Sequence, residues 1–235
     1  MISVLLFSLI AGLSIPVGAA LARLKIVLPD WKERELRHTI VAFGAGALLS
    51  AVALVLIPQG AEPVSPWIAL GSFVTGAILM RAIDGAIARR GGQGAQFLAM
   101  MSDFVPEAIA MGALFSVSPE AAPLLALLIA LQNVPEAFNA YHEAEEAGHD
   151  SHEGLVRKFT LLALMGPLCA VGGYLFLSGA PQVTGILMCA AAGGILYLIF
   201  QDIAPQVPLE NDTLPPLGAV AGFGLGLAGE LFMNG

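Results

Sequence analysis

The sequence predicts an all-α integral membrane protein: a single transmembrane domain, residues 1–235, of eight transmembrane helices with inverted-repeat symmetry and kinks in the fourth and fifth. Three observations carry this prediction. Hydrophobic residues make up 57% of the chain and charged residues only 12%, with a mean hydropathy of +0.82, far from the balance of a soluble domain. Apolar runs of about 20 residues, the length that crosses about 30 Å of hydrocarbon, recur along the chain. Two short motifs each occur twice, on runs that cross in opposite directions.

The runs lie near residues 2–22, 39–58, 66–84, 96–117, 121–142, 159–178, 183–203 and 216–233. The first has no basic leader and no clear Ala-x-Ala site and enters a basic loop, so it reads as a mature helix rather than a signal peptide. All ten basic residues fall in or beside odd-numbered connections: Arg23, Lys25, Lys32, Arg34 and Arg37; Arg81, Arg89 and Arg90; Arg157 and Lys158. By the positive-inside rule those connections are cytoplasmic and both termini extracytoplasmic, in a plasma or bacterial inner membrane. The opposite connections, "QGAEPVSP", "SVSPEAAP" and "SGAPQVT", carry no Lys or Arg. Cys169 and Cys189 lie inside apolar runs, where a thiol behaves as a small hydrophobe. The expected surroundings are a lipid bilayer and not nucleic acid.

Two of the runs' motifs recur elsewhere in the chain. "AGALLSAVALVLIPQ" from Ala45 on the second run and "AGGILYLIFQDIAPQ" from Ala192 on the seventh share Ala-Gly, a Leu and the terminal Pro-Gln. "SDFVPEA", residues 102–108, and "LQNVPEA", residues 131–137, share Val-Pro-Glu-Ala on the fourth and fifth runs. Each pair joins runs of opposite direction, the design of inverted-repeat secondary transporters.

Pro106 and Pro135 fall mid-run, where each removes a backbone hydrogen bond and displaces the carbonyl four residues earlier, that of Ser102 and of Leu131. Asp103 and Glu107 share one helical face; Gln132 and Glu136 share another, with Asn133 adjacent. A carboxylate at the bilayer centre costs about 2.5 to 3.5 kcal/mol on insertion scales, a cost that Asp103, Glu107 and Glu136 would each impose. The only basic residue inside a predicted span is Arg81, which is paired with Asp84 on this reading. The neutralising charge must then arrive as a metal ion or as protons, and protonated carboxyls that merely pack helices are the alternative. No HExxH, GxSxG or Gly-x-Gly-Asp element accompanies the acids, so an enzyme is not expected.

"QNVPEA", the Pro-Glu of "DFVPEA" and "GPLCAVGGYLFL" from Gly166 resemble the fourth, fifth and sixth helices of the ZIP family of divalent metal transporters. The resemblance implies uptake of a divalent cation, as substrate, through a mid-membrane site of Asp103, Glu107, Gln132 and Glu136. It also implies a homodimer, with helices one, four, five and six sliding against two, three, seven and eight. A second metal site in the family would fall at Phe104, Asn133 and Gly166. Only Asn133 there retains a donor, so one ion is expected. The family implies zinc, with cadmium, iron(II) and manganese as related ions. An all-oxygen donor set shifts the expectation from zinc toward manganese, iron(II), magnesium or calcium. The alternative is a membrane metal sensor that does not transport, marked by Gly166.

Further candidates are peripheral. His142, His149 and His152 stand among five acidic residues in "YHEAEEAGHDSHEG" and read either as a metal-holding loop or as a solvated one. Gln201 and Asp202 read as an exit contact or as interfacial polarity. Glu62 and Glu120 lie in outer connections. Gly218, Gly222 and Gly226 set a small-xxx-small spacing for helix packing.

Overall fold

The computed structural model describes residues 1–23, 30–90, 95–146, 152–206 and 214–234. Eight helical rods account for them. α1 is Ile2–Ala22; α2 runs Asp30–Ser50 and continues through a π-helical stretch, Ala51–Leu56, into Ile57–Ala61. α3 is Pro66–Arg90, α4 Ala95–Val117 and α5 Ala122–Glu146. α6 comprises His152–Ala163 and Met165–Leu177; α7 is Pro181–Leu198 followed by a π-helical Ile199–Ile203 and a 3₁₀ turn, Ala204–Gln206; α8 is Leu214–Asn234. Among the described residues seven of these rods are long and apolar enough to cross a membrane. The rod outside that set is α5, which spans 25 residues but carries Gln132, Asn133, Glu136 and Asn139.

Prolines explain the irregular turns. Each removes an N–H and presses its ring on the carbonyl four residues back. In α2 and α7 the π-helical stretches lie just ahead of, or reach toward, Pro58 and Pro205, a wider turn that accommodates that displaced carbonyl. In α6, Pro167 leaves the carbonyl of Ala163 without its helical donor, at the point where the helix is interrupted beside Leu164. α4 and α5 instead continue as helix through Pro106 and Pro135.

The rods sort into two groups. α1 packs on α5 and both parts of α6, and α4 packs on α6 and α5; α2 packs on α8, α3 on α7, and the end of α2 on α7. The groups meet chiefly where α2 crosses α5 and where α4 crosses α7. Without a hydrophobic force between helices in lipid, close backbone approach drives such packing. Gly46 of α2 lies against the Ala219 carbonyl of α8, and Gly222 of α8 against the Phe43 carbonyl. Gly193 of α7 lies against the Phe73 carbonyl of α3, and Gly76 of α3 against the Ala190 carbonyl, the same interleaving 146 or 147 residues away in numbering. A side chain at any of the four would strike backbone. Gly218 and Gly226 of α8 also face α2, at Thr39 and Ser50.

One expected pairing is corrected here. Asp84 takes the hydroxyl of Tyr197, from α7, at 3.3 Å, and no ion pair joins it to Arg81, whose side chain is exposed. The tyrosine ties α3 to α7, whereas a pairing with Arg81 would have stayed within one helix.

Candidate functional site

The helices that carry the two Val-Pro-Glu-Ala motifs, α4 and α5, meet at Glu107 and Gln132. Glu107 is 1% exposed and Gln132 1% exposed, and the Gln132 side-chain amide donates from Nε2 to Glu107 Oε2 at 2.6 Å. Asp103 lies one turn from Glu107 on the same face of α4, 8% exposed and close enough for the two carboxylates to repel. Its Oδ1 also accepts the N–H of Phe104 at 3.1 Å. Glu136 stands one turn beyond Gln132 and is half-buried. The predicted Asp103, Glu107 and Gln132 are therefore brought together, with Glu136 adjacent along α5.

Asn133 faces elsewhere. It is fully buried and donates from Nδ2 to the carbonyl of Ala11 on α1 at 3.0 Å, tying α5 to α1. Phe104 of α4 and Gly166 of α6 are complementary in volume. Phe104 is 1% exposed, and a Cβ added at Gly166 would lie 2.9 Å from the end of its ring and 3.0 Å from the Ser8 carbonyl. The ring takes the space that a side chain at 166 would need.

The electrostatics of the cluster are one-sided. Among the described residues, four buried polar side-chain atoms have no hydrogen-bond partner; two are oxygens of this cluster, Glu107 Oε1 and Gln132 Oε1, and a third is Asn133 Oδ1, on the side chain turned to α1. The fourth is Thr184 Oγ1, on α7. Leaving a buried acceptor unpaired costs about 1 to 3 kcal/mol each, more for a charged group. Glu107 Oε1 and Gln132 Oε1 thus stand as buried acceptors without donors. Among the described residues no three His, Cys, Asp or Glu side chains stand close enough together to hold a metal ion. Any ion here would combine carboxylate with amide oxygen.

The peripheral candidates do not join the cluster. His142 packs edge-on against Phe138, ring centres 4.8 Å apart, with Nδ1 3.9 Å from the Glu145 carboxylate. Gln201 is exposed on the π-helical end of α7. His149, and the side chains of His152 and Asp202, lie outside the described residues. Glu120 serves the entry to α5: it accepts the Ser118 hydroxyl at 2.8 Å. The backbone N–H of its own residue, and then that hydroxyl, hold its carboxyl below the usual range.

Sequence reasoning missed one contact near the site. Arg37 of α2 donates from Nε and a terminal nitrogen to Asn139 Oδ1 of α5, at 3.0 and 2.8 Å, and Asn139 Nδ2 donates to Glu143 Oε1 at 2.7 Å. The sequence spacing shows only that Asn139 and Glu143 continue the face of Gln132 and Glu136; it does not point to Arg37.

Fold and site together define a multi-pass helical membrane protein with an acceptor-rich polar cluster buried between two helices. No model of a known protein family matches the chain, and no curated protein matches it.

Proposed function

We propose that the protein is a ZIP-type carrier that moves a divalent cation into the cytoplasm through a single mid-membrane site. One observation carries the reading: two buried oxygen acceptors without donors, Glu107 Oε1 and Gln132 Oε1, stand where α4 and α5 present carboxylate and amide side chains to one another. Desolvated acceptors of this kind are satisfied by a cation or by protons. Glu107, Asp103 and Gln132 hold the ion, with Glu136 closing on them from the next turn of α5. Asn133 is turned toward α1 and anchors the site, and the Phe104 ring against Gly166 leaves no room for a second ion's ligand at that position.

In the same reading eight rods cross the bilayer with both termini outside, and α1, α4, α5 and α6 move against α2, α3, α7 and α8, a division in keeping with the packing groups. Repeated glycine–carbonyl contacts in α2/α8 and α7/α3, and π-helical stretches at corresponding places in α2 and α7, support the inverted-repeat design. A cysteine introduced at Ser65 is then labelled only from outside. Two copies associate as a homodimer, which cross-linking in native membranes checks.

The functional test is uptake by purified protein in liposomes loaded with a metal-sensitive dye. Zinc, manganese or iron(II) enters with wild type, and Glu136→Gln, which keeps shape and hydrogen-bonding capacity but removes charge, abolishes most uptake. Asp103→His raises the zinc-to-manganese ratio, because imidazole suits zinc. Unaltered uptake with Glu136→Gln refutes the site; binding without any uptake makes the protein a sensor.

A further inference from the structure

We propose that Arg37 is a gate, a tethered cation that blocks a polar track on α5 between the buried cluster and the end of the bundle where the basic residues lie. The proposal deepens the cation-carrier reading and rests on it.

Gln132, Glu136, Asn139 and Glu143 follow one another at intervals of four, three and four residues, so at about 100° per residue they fall within an arc of about 60°. Exposure rises along the track: Gln132 is buried, while Glu136, Asn139 and Glu143 are half-buried. In the other direction the same face continues as Ile129, Leu128 and Leu125, all fully buried. The cluster is therefore sealed by hydrocarbon on one side and approached by side-chain oxygens on the other.

Arg37 sits across that approach. Two N–H groups of its guanidinium go to the single amide oxygen of Asn139. Asn139 passes the polarisation on to Glu143 through its own N–H. A cation travelling between Glu136 and Glu143 needs the oxygen that the guanidinium holds, and must approach a fixed positive charge to reach it. The contact also lies where the two helix groups meet, α2 in one and α5 in the other. Displacement of α5 along α2 parts Arg37 from Asn139 and opens the track, so the gate is coupled to the motion of the groups.

The test reads access rather than transport. Glu136→Cys is placed in a full-length chain with Cys169→Ser and Cys189→Ala, reconstituted in vesicles, and treated with a cationic and a neutral impermeant thiol reagent from the Arg37 side. Arg37→Gln removes both tether and charge and raises the rate with the cationic reagent at least tenfold, and by less with the neutral one. Asn139→Ala removes the two bonds to Asn139 but keeps the charge, and raises the rate with the neutral reagent more than with the cationic one. Arg37→Lys leaves the cationic reagent slow. Equal acceleration of both reagents in both variants makes Arg37 a structural tie only and overturns the gate, as do unchanged rates. Since no ion has to be carried, a protein inactive in liposomes removes the carrier reading while these rates still decide the gate.

Discussion

The two halves of one face of α5 make the informative comparison. Toward the end of the bundle that begins α5, the face is Leu125, Leu128 and Ile129, fully buried. Toward the other end it is Gln132, Glu136, Asn139 and Glu143. The helix is thus amphipathic along its axis as well as around it. A helix that only filled space between α1, α2 and α4 would have no need of this change, because apolar side chains pack both depths equally well. The abrupt step at Gln132, where Glu107 Oε1 and Gln132 Oε1 lack donors, separates a fully buried apolar half from a half-buried polar one.

The largest effect is expected from erasing the step on the sealed side. Leu128→Asn loses packing and buries an amide without a partner, at a cost of about 3 kcal/mol or more. Asn139→Leu on the accessible half costs about 1 kcal/mol, the net worth of the hydrogen bonds it gives up. Thermal unfolding in detergent ranks the two, and equal losses would dissolve the comparison. Gln132→Leu comes next: it strips Glu107 Oε2 of its donor, which lowers stability by about 1 to 3 kcal/mol. The smallest effect concerns the neighbouring plug. Gly166→Ala presses its Cβ on Phe104 and costs about 1 to 2 kcal/mol, and Phe104→Leu in the same chain recovers part of it. No recovery would mean that the Ser8 carbonyl, not the ring, sets the limit.

Much of this was legible in the sequence. Apolar runs in the sequence overlap all eight rods, seven of which are long and apolar enough to cross a membrane, and the repeated Pro-Glu units mark the two helices on which Glu107 and Gln132 meet. The extra turns of α2 before residue 39 and of α5 after residue 142 escape a hydropathy reading because they are polar, yet the backbone remains helical there. Helix rotation and neighbour choice escape it too. Arg37 meets Asn139 across 102 residues of sequence, and no local pattern announces that. Phe104 and Gly166 stand as unrelated positions in the sequence until their contact makes them a matched pair. The π-helical stretches could have been suspected from Pro58 and Pro205 at corresponding places in a repeat.

The central claim is that the cluster binds one divalent cation through carboxylate charge. Equilibrium dialysis of the purified protein against manganese or zinc, with wild type and Glu107→Gln compared at equal folded concentration, tests it most directly. One ion per chain in wild type and none in Glu107→Gln is the predicted result. Equal binding in both proteins, or no binding in either, would contradict it.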